Sequence, residues 1–362
     1  MGDFIMTANQ RALAFSRRFG LQMPLLLAPM AGVPAVALSA AVGNAGGMGG
    51  VGALLFDLPK LADWMARYRA ATPAPLQINL WIPSPEPVRD AGHEAAVRAF
   101  LARFGPEVPA AAGDVVLPDF DTMCDAVLAA RPAAVSSIMG LFPPPFVARM
   151  KAAGVAWFAT VTTVAEARAA EAAGADVVVA QGAEAGGHRG AFDAVHARDR
   201  AVGLFALLPQ VVDAVRVPVV ATGGIADSRG IAAALVLGAS AVQIGTGLLR
   251  CPEAGVFAPW ADALRGLPPE GTRLTQAFTG RWARAIETDY VRAAVAADAP
   301  PPAPYPVQRG LTAPMRMAAE AAGDLQRYQA WAGQAAALAS AGPAAEVVRE
   351  LWQGASALLG AR

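Results

Sequence analysis

The chain has 362 residues, 55% hydrophobic and 16% charged, which is enough for a large core in one large domain or two medium ones. Lys plus Arg and Asp plus Glu each number 29, so the net charge is zero, and neither a nucleic-acid partner nor an anionic membrane surface is expected. Cys124 and Cys251 are too few for a disulfide framework and lack metal-ligand spacing, which fits a reducing cytoplasm and no bound metal.

Short aliphatic runs alternate with longer amphipathic, Ala-rich runs over the first two thirds of the chain. Strands are predicted at 25–28, 49–54, 76–80, 133–137, 155–160, 176–181, 218–222 and 240–244. Helices are predicted near 34–45, 58–71, 119–130, 143–153, 163–173, 204–216 and 227–237. The strands are solidly apolar without alternation, as in a parallel sheet buried on both faces. Eight such units point to an α/β fold, a (β/α)8 TIM barrel, with a doubly wound open sheet as the structural alternative. Two uncharged stretches, Gln22 to Phe56 and Gly230 to Leu249, resemble membrane spans in composition alone. Pro24, Pro29, Pro34 and repeated glycines break the first, and Gly238, Gln243, Gly245 and Gly247 break the second, so no membrane segment is expected.

After Leu249 the pattern changes. Residues 1–254 are expected to form the barrel, 255–320 a smaller Pro-rich region inserted on the substrate side with one helical run near 281–297, and 321–362 C-terminal helices that pack back on the barrel.

Barrel active sites lie at the C-terminal strand ends, and phosphate commonly sits in the loops after the seventh and eighth strands. The seventh predicted strand runs into "ATGGIADSRG" (221–230), where Gly223 and Gly224 let backbone N–H groups approach an anion beside a helix starting near Asp227. The eighth ends in "QIGTG" (243–247), which supplies Gly245 and a hydroxyl on Thr246. Two ordinary tight turns are the plain alternative, but the paired signal favours phosphate. "GMGGVG" (47–52) matches a dinucleotide fingerprint by letter, yet it enters a strand instead of leaving one for a helix, so it reads as a turn.

The sixth strand ends in "QGAEAGGHRG" (181–190). An imidazole titrating near neutrality suits proton abstraction, and Gly186, Gly187 and Gly190 leave room for a planar ligand beside His188. A histidine that merely bonds the loop backbone is the competing reading. His93 and His196 sit in polar surroundings, Arg316 and Arg327 read equally well as surface charges, and the cysteines read as small buried hydrophobes.

The motifs "PLLLAPMAG" (24–32), "NAGGMGGVG" (44–52), "QINLW" (77–81), "QGAEAGGHRG", "VVATGGIAD" (219–227) and "LGASAVQIGT" (237–246), in that order, resemble the nitronate monooxygenase family over roughly residues 24–250. "FTGRWARAI" (278–286) and "WAGQAAAL" (331–338) are similar to it as well. The resemblance implies an FMN-dependent barrel enzyme oxidising alkyl nitronates or nitroalkanes with O2 to carbonyl compounds and nitrite. It implies that the FMN phosphate rests on Gly224, Gly245 and Thr246 beside Gly223, with Gln243 and Ile244 alongside. Met30 at the end of the Ala28–Met30 turn, Asn79, Gln181 and Gly186 would touch the flavin, and His188 would be the base at the substrate α-carbon. Trp282 departs from the family pattern, which has Pro there, and is expected near the pocket mouth. Flavin-dependent enoyl-acyl-carrier reductases and NAD(P)H:quinone reductases of the same superfamily are the alternative, and Arg189 leans toward the monooxygenase side because the enoyl reductases tend to carry an aliphatic residue there.

Overall fold

The computed structural model describes residues 6–33 and 35–360; Pro34 lies outside the described residues. The aliphatic runs become β1 (Leu25–Leu27), β2 (Gly49–Gly52), β3 (Leu76–Trp81), β4 (Ala134–Ile138), β5 (Ala156–Val161), β6 (Val177–Gln181), β8 (Val219–Thr222) and β9 (Ala241–Ile244). A two-residue strand, β7 (Gly187–His188), intervenes, and β10 (Thr272–Thr275) and β11 (Ala283–Ile286) follow.

The eight long strands pair in parallel in the order β1-β9-β8-β6-β5-β4-β3-β2. A parallel bridge between Leu26 and Met48 joins the two edges, with Leu27 N–H donating to Met48 O at 2.9 Å and Met48 N–H to Leu25 O at 3.0 Å. That closure makes a barrel and excludes the open-sheet alternative. Helices follow the strands and cover the outer faces, where Ile78, Ala159, Val178 and Ala221 join the main core.

Because side chains alternate across a strand, closure sends every second residue into the barrel. At its N-terminal end this interior is apolar: Leu26, Phe158, Val179, Val220 and Ala241 pack together. Phe15 and Phe19 plug it from below; they come from a helix at Ala8–Phe19 that no strand–helix alternation announces. The rings of Phe19 and Phe158 meet edge-on at 5.1 Å. Two residues further along the strands the same inner face turns polar. It carries Ser136, Thr160, Gln181, Thr222 and Gln243, with Gln77 and Asn79 on β3.

A second cluster stands over the other end. Val97, Phe100 and Leu101, from a helix at Ala91–Leu101 between β3 and β4, pack against Phe278, Tyr290, Val307, Leu311 and Met315. The predicted helical run at 281–297 is instead β11 followed by a short helix, Asp289–Ala293, capped by Thr288. Alanine and arginine favour helix locally, but β11 finds antiparallel partners in β10 and, across nearly a hundred residues of chain, in β7. The start of the predicted C-terminal helices also differs. After the helix Ala313–Ala321 the chain forms only two single 3-10 turns, Leu325–Arg327 and Ala336–Leu338, before the helix Ala344–Leu358, interrupted by Gly323, Gly333 and Gly342. The final helix packs on Ser228–Val236 and Val36–Asn44. No helix among the described residues is long and apolar enough to cross a membrane. Cys124 and Cys251 are buried, and burial pushes both thiols up to about 12, so neither is poised as a nucleophile.

Phe158 is wholly buried and joins plug to barrel. Phe158→Ala should cost about 3–5 kcal/mol, the usual range for emptying a core aromatic position. The shift in urea midpoint measures it, and a loss under about 1 kcal/mol would mean that the plug is not holding the barrel.

Candidate active site

A cavity of ≈ 270 Å³ opens at the C-terminal ends of the barrel strands. Its floor is the polar half of the barrel interior: Asn79, Thr160, Gln181, Thr222 and Gln243 all line it. These side chains hold one another in place. Gln77 donates to Gln243 Oε1 at 2.9 Å and to Leu27 O at 2.9 Å. Asn79 donates to Ser136 Oγ at 3.0 Å, and the Thr222 hydroxyl to Gln243 O at 2.9 Å. Fixed partners leave the remaining amide groups oriented toward the cavity at little further ordering cost.

The glycine-rich loop after β6 is tied down almost residue by residue. Gln181 donates through Nε2 to His188 O at 3.0 Å and accepts from Gly190 N–H at 2.8 Å. Glu184 turns away to cap the helix Leu204–Ala214 through Leu204 N–H, 2.9 Å from each carboxylate oxygen. Arg189, only 2% exposed, folds back onto Gly182 O at 2.6 Å and does not line the cavity. Burial, with Arg284 nearby, pushes its guanidinium down to about 10. It is a strut for the loop, and Arg284 braces the same loop by donating to Ala183 O at 3.0 Å.

So held, the loop returns as β7 against β11, with His188 opposite Ala283. The His188 ring stands edge-on between two indoles, Trp81 at 4.7 Å and Trp331 at 5.1 Å between centroids. Its Nε2 lies 2.9 Å from Thr279 Oγ1. Enclosure away from water, aided by the positive charges of Arg281 and Arg309, pushes the imidazole down to about 3. The ring is therefore neutral at physiological pH, whereas the sequence alone suggested titration near neutrality.

The two glycine turns face this ring across the cavity. Gly223 and Gly224 have φ of 107° and 70°, a region that L side chains rarely adopt. Among the described residues, no acceptor takes the backbone N–H of either. Thr246 Oγ1 accepts from Gly333 N–H at 3.0 Å, which brings the 331–333 segment over the eighth-strand turn. A Cβ on Gly186 would sit 2.5 Å from Gly333 N and 2.8 Å from Thr246 Oγ1, so only glycine fits between them. The helix at Ser228–Val236 adds less than expected, because Asp227 already caps it through Gly230 N–H at 2.9 Å and does not line the cavity.

Of the residues singled out from sequence, Met30, Asn79, Gln181, Gly186, His188, Gly223, Gly224, Gln243, Gly245 and Thr246 all line this one cavity. Ile244 does not; its side chain packs in the main core, and its carbonyl accepts from Ala28 N–H at 2.9 Å. Trp282 is likewise not at the mouth: its ring carries the Arg198 guanidinium 5.0 Å away. Arg316, read as a possible surface charge, lines the cavity, and burial with Arg309 nearby pushes it down to about 10. Thr279, Tyr305, Arg309 and Gln329 line it too and were not picked out. Thr279, Tyr305 and Gln329 come from irregular chain and Arg309 from the short helix Val307–Leu311; "FTGRWARAI", which holds Thr279, and the aromatic and cationic letters of "YPVQRG" are the only hints of them. His196 is exposed and paired with Asp193 at 2.7 Å, and His93 is half-buried near the start of its own helix; neither lines the cavity.

No carboxylate lines the cavity among the described residues, while Arg309 and Arg316 do. Neither arginine is in an ion pair among the described residues, and the Arg309 guanidinium has no hydrogen-bond acceptor there. The site thus combines a neutral imidazole, free backbone donors and uncompensated positive charge, and it is suited to an anionic ligand.

The fold and this cavity define a barrel enzyme whose chemistry is set at the strand C-termini. The nitronate monooxygenase family model matches residues 15–354. Nitronate monooxygenases from Pseudomonas aeruginosa (40% identity; 93% of this chain, 97% of that one) and Paraburkholderia phytofirmans (40%; 92% of each) are similar throughout. Among solved structures, a nitroalkane oxidase from Streptomyces ansochromogenes superposes with a TM-score of 0.85 at 36% identity, covering 97% of this chain and 100% of that one. FabK from Thermotoga maritima superposes with a TM-score of 0.75 at 25% identity, covering 96% and 97%. The chain belongs to the nitronate monooxygenase family and is an oxidoreductase.

The depressed His188 value links to stability. Below its ordinary value of 6.5 the unfolded chain protonates this ring, whereas the folded chain does not until about 3. The unfolded state binds more protons in that window, so stability falls as pH drops through it, by up to about 1.4 kcal/mol per pH unit from this group. Urea unfolding of the ligand-free protein should show the decline between pH 6.5 and pH 5, and His188→Asn should lack that component; an identical slope in both would assign it elsewhere.

Proposed function

We propose that the protein binds FMN and uses O2 to oxidise alkyl nitronates, and more slowly neutral nitroalkanes, to carbonyl compounds and nitrite. The observation that carries this reading is a neutral histidine facing a cavity with two unpaired guanidinium groups and no carboxylate.

The residues fit the cofactor. Unclaimed N–H groups at Gly223 and Gly224, with the turn at Gly245 and Thr246, suit a phosphate. The amides of Asn79, Gln181 and Gln243 along the cavity, with Met30 at its side, suit a planar polar ring system. FMN, when bound, supplies the redox step that couples substrate oxidation to O2.

Arg309 and Arg316 attract the anionic nitronate and offset its charge. A neutral nitroalkane must first lose its α-proton. His188 accepts it, and the resulting imidazolium donates from Nε2 to Thr279 Oγ1, which already lies 2.9 Å away. A ring with so low an affinity for protons is a weak base until the substrate carbanion stands beside it as a counter-charge. Preformed nitronates bypass that step and should therefore turn over faster. Trp81 and Trp331 hold the ring edge-on.

Purified protein should be yellow and should take up oxygen with propionate 3-nitronate or ethyl nitronate in the absence of NAD(P)H. Rapid oxidation of NADH with no nitronate turnover would place it with the enoyl and quinone reductases instead. His188→Asn should reduce turnover of neutral nitroethane by about 10²–10⁴-fold, the usual range for a general base, while ethyl nitronate changes far less. Equal loss on both would remove His188 from the base role. Gly224→Val should lower flavin retained after gel filtration, because its φ of 70° and the Glu184 side chain 3.1 Å from a Cβ there leave no room.

A further inference from the structure

Thr279 meets His188 from a turn that leaves it little freedom. Its own N–H donates to Gln276 O at 3.2 Å, Gly280 N–H donates to the same oxygen at 2.8 Å, and Gln276 Nε2 closes the turn on Gly280 O at 3.1 Å. Gly280 has φ of 80°, and a Cβ there would collide with Ala303 O, so the turn is clamped against the 303–305 segment. The pairing of β7 with β11 fixes the other side, with His188 opposite Ala283 and Arg189 N–H donating to Trp282 O at 2.9 Å. Backbone thus brings the hydroxyl and the imidazole together, and Thr279 is only 2% exposed.

The two nitrogens of the ring have different surroundings. Nε2 lies 2.9 Å from Thr279 Oγ1. Nδ1 has no hydrogen-bond partner among the described residues, yet it is not sealed off, and the ring lines the cavity. A neutral imidazole carries one proton, so one nitrogen donates and the other keeps a lone pair. With Nε2 occupied by Thr279, Nδ1 is the nitrogen open to a substrate. It can act as a base only if the ring proton rests on Nε2.

A threonine hydroxyl has one proton to give and two lone pairs. Around Thr279 Oγ1 stand Nε2, Arg281 N–H at 3.4 Å, which can only donate, and Arg281 O at 3.4 Å, which can only accept. With the hydroxyl proton on Arg281 O, Oγ1 receives both Arg281 N–H and Nε2–H, and all three neighbours are served. With the proton directed to Nε2 instead, Arg281 O is left with no donor among the described residues. We propose that Thr279 is a positioning residue that sets the tautomer of His188: its hydroxyl, committed to Arg281 O, accepts from Nε2–H and so leaves the lone pair on Nδ1. This rests on the reading of His188 as the base and names the atom that acts. The α-carbon C–H bond of a nitroalkane breaks, its proton goes to Nδ1, and the electron pair passes into the nitro group to form the nitronate. The imidazolium so formed keeps its Nε2–H on Thr279.

The test reads the tautomer directly, by 15N NMR of the flavin-loaded protein labelled at histidine, near neutral pH where the ring is uncharged. The chain holds three histidines, and His188→Asn identifies the signals of this one. The wild type should show a protonated Nε2 and a bare Nδ1. A protonated Nδ1 overturns the proposal, and that spectrum decides even if a Thr279 variant fails to fold. Thr279→Val keeps the branched outline without the hydroxyl and should move the proton to Nδ1. It should also lower kcat on nitroethane about 10–100-fold, the scale found for the outer partners of metal-bound histidines, with KM held and a far smaller loss on ethyl nitronate. Thr279→Ser should restore both the tautomer and the rate. A lower rate in Thr279→Val with the tautomer unmoved would overturn the proposal and make the residue merely structural. A moved tautomer with undiminished turnover of nitroethane would leave Thr279 as its determinant and remove His188 from the base role.

Discussion

Closure of the eight-stranded sheet is the constraint on which the rest of the molecule depends. Once Leu26 bridges Met48, no strand can slip by one residue without turning its inner face out. That parity sends Phe158, Val179 and Val220 into the plug and, two residues on, Thr160, Gln181 and Thr222 into the cavity. The same strands thus build an apolar floor for stability and a polar ceiling for binding. Gln77, Gln243 and Asn79 are tolerable inside a barrel only because each meets a partner there, and that pairing fixes the direction of what remains free.

The second constraint is the return of the glycine loop as β7. Two residues of pairing to β11 attach the top of β6 to a part of the chain almost a hundred residues later. This attachment brings Thr279 to His188 and lays the 329–333 segment across the cavity. The helix Ala91–Leu101 supports the assembly from the side through the second core cluster. Arg189 and Arg284 serve the same purpose from within, donating to the loop carbonyls of Gly182 and Ala183.

Electrostatics then determine what the cavity accepts. Three arginines lie near His188 or along the cavity, and no carboxylate among the described lining residues offsets them. The charge draws an anion in, and burial, reinforced by Arg281 and Arg309, holds the imidazole neutral until that anion arrives. A histidine in water would have neither property.

Much of this was legible from residues alone, for identifiable reasons. Short unalternating aliphatic runs bounded by turn residues fit parallel strands covered on both faces, so the barrel strands followed from pattern, and glycine pairs at strand ends marked the turns where backbone can approach a ligand. Ten of the eleven singled-out residues gather in one cavity because barrel strands all point their C-terminal ends the same way. The exceptions show what local pattern lacks. Ile244 neighbours the site in sequence but faces the opposite side of its strand, and Ala283–Ile286 reads as helix until a partner strand claims it. Thr279, Tyr305, Arg309 and Gln329 carry no periodic signal, and the low proton affinity of His188 depends first on burial by side chains distant in sequence and then on the Arg281 and Arg309 guanidinium groups. The sequence by itself determined the strands, the turns and the histidine, since those are local preferences of a chain. Only the tertiary structure decided which side chains surround that histidine and in which protonation state it rests, because burial and charge are properties of neighbours brought together by folding.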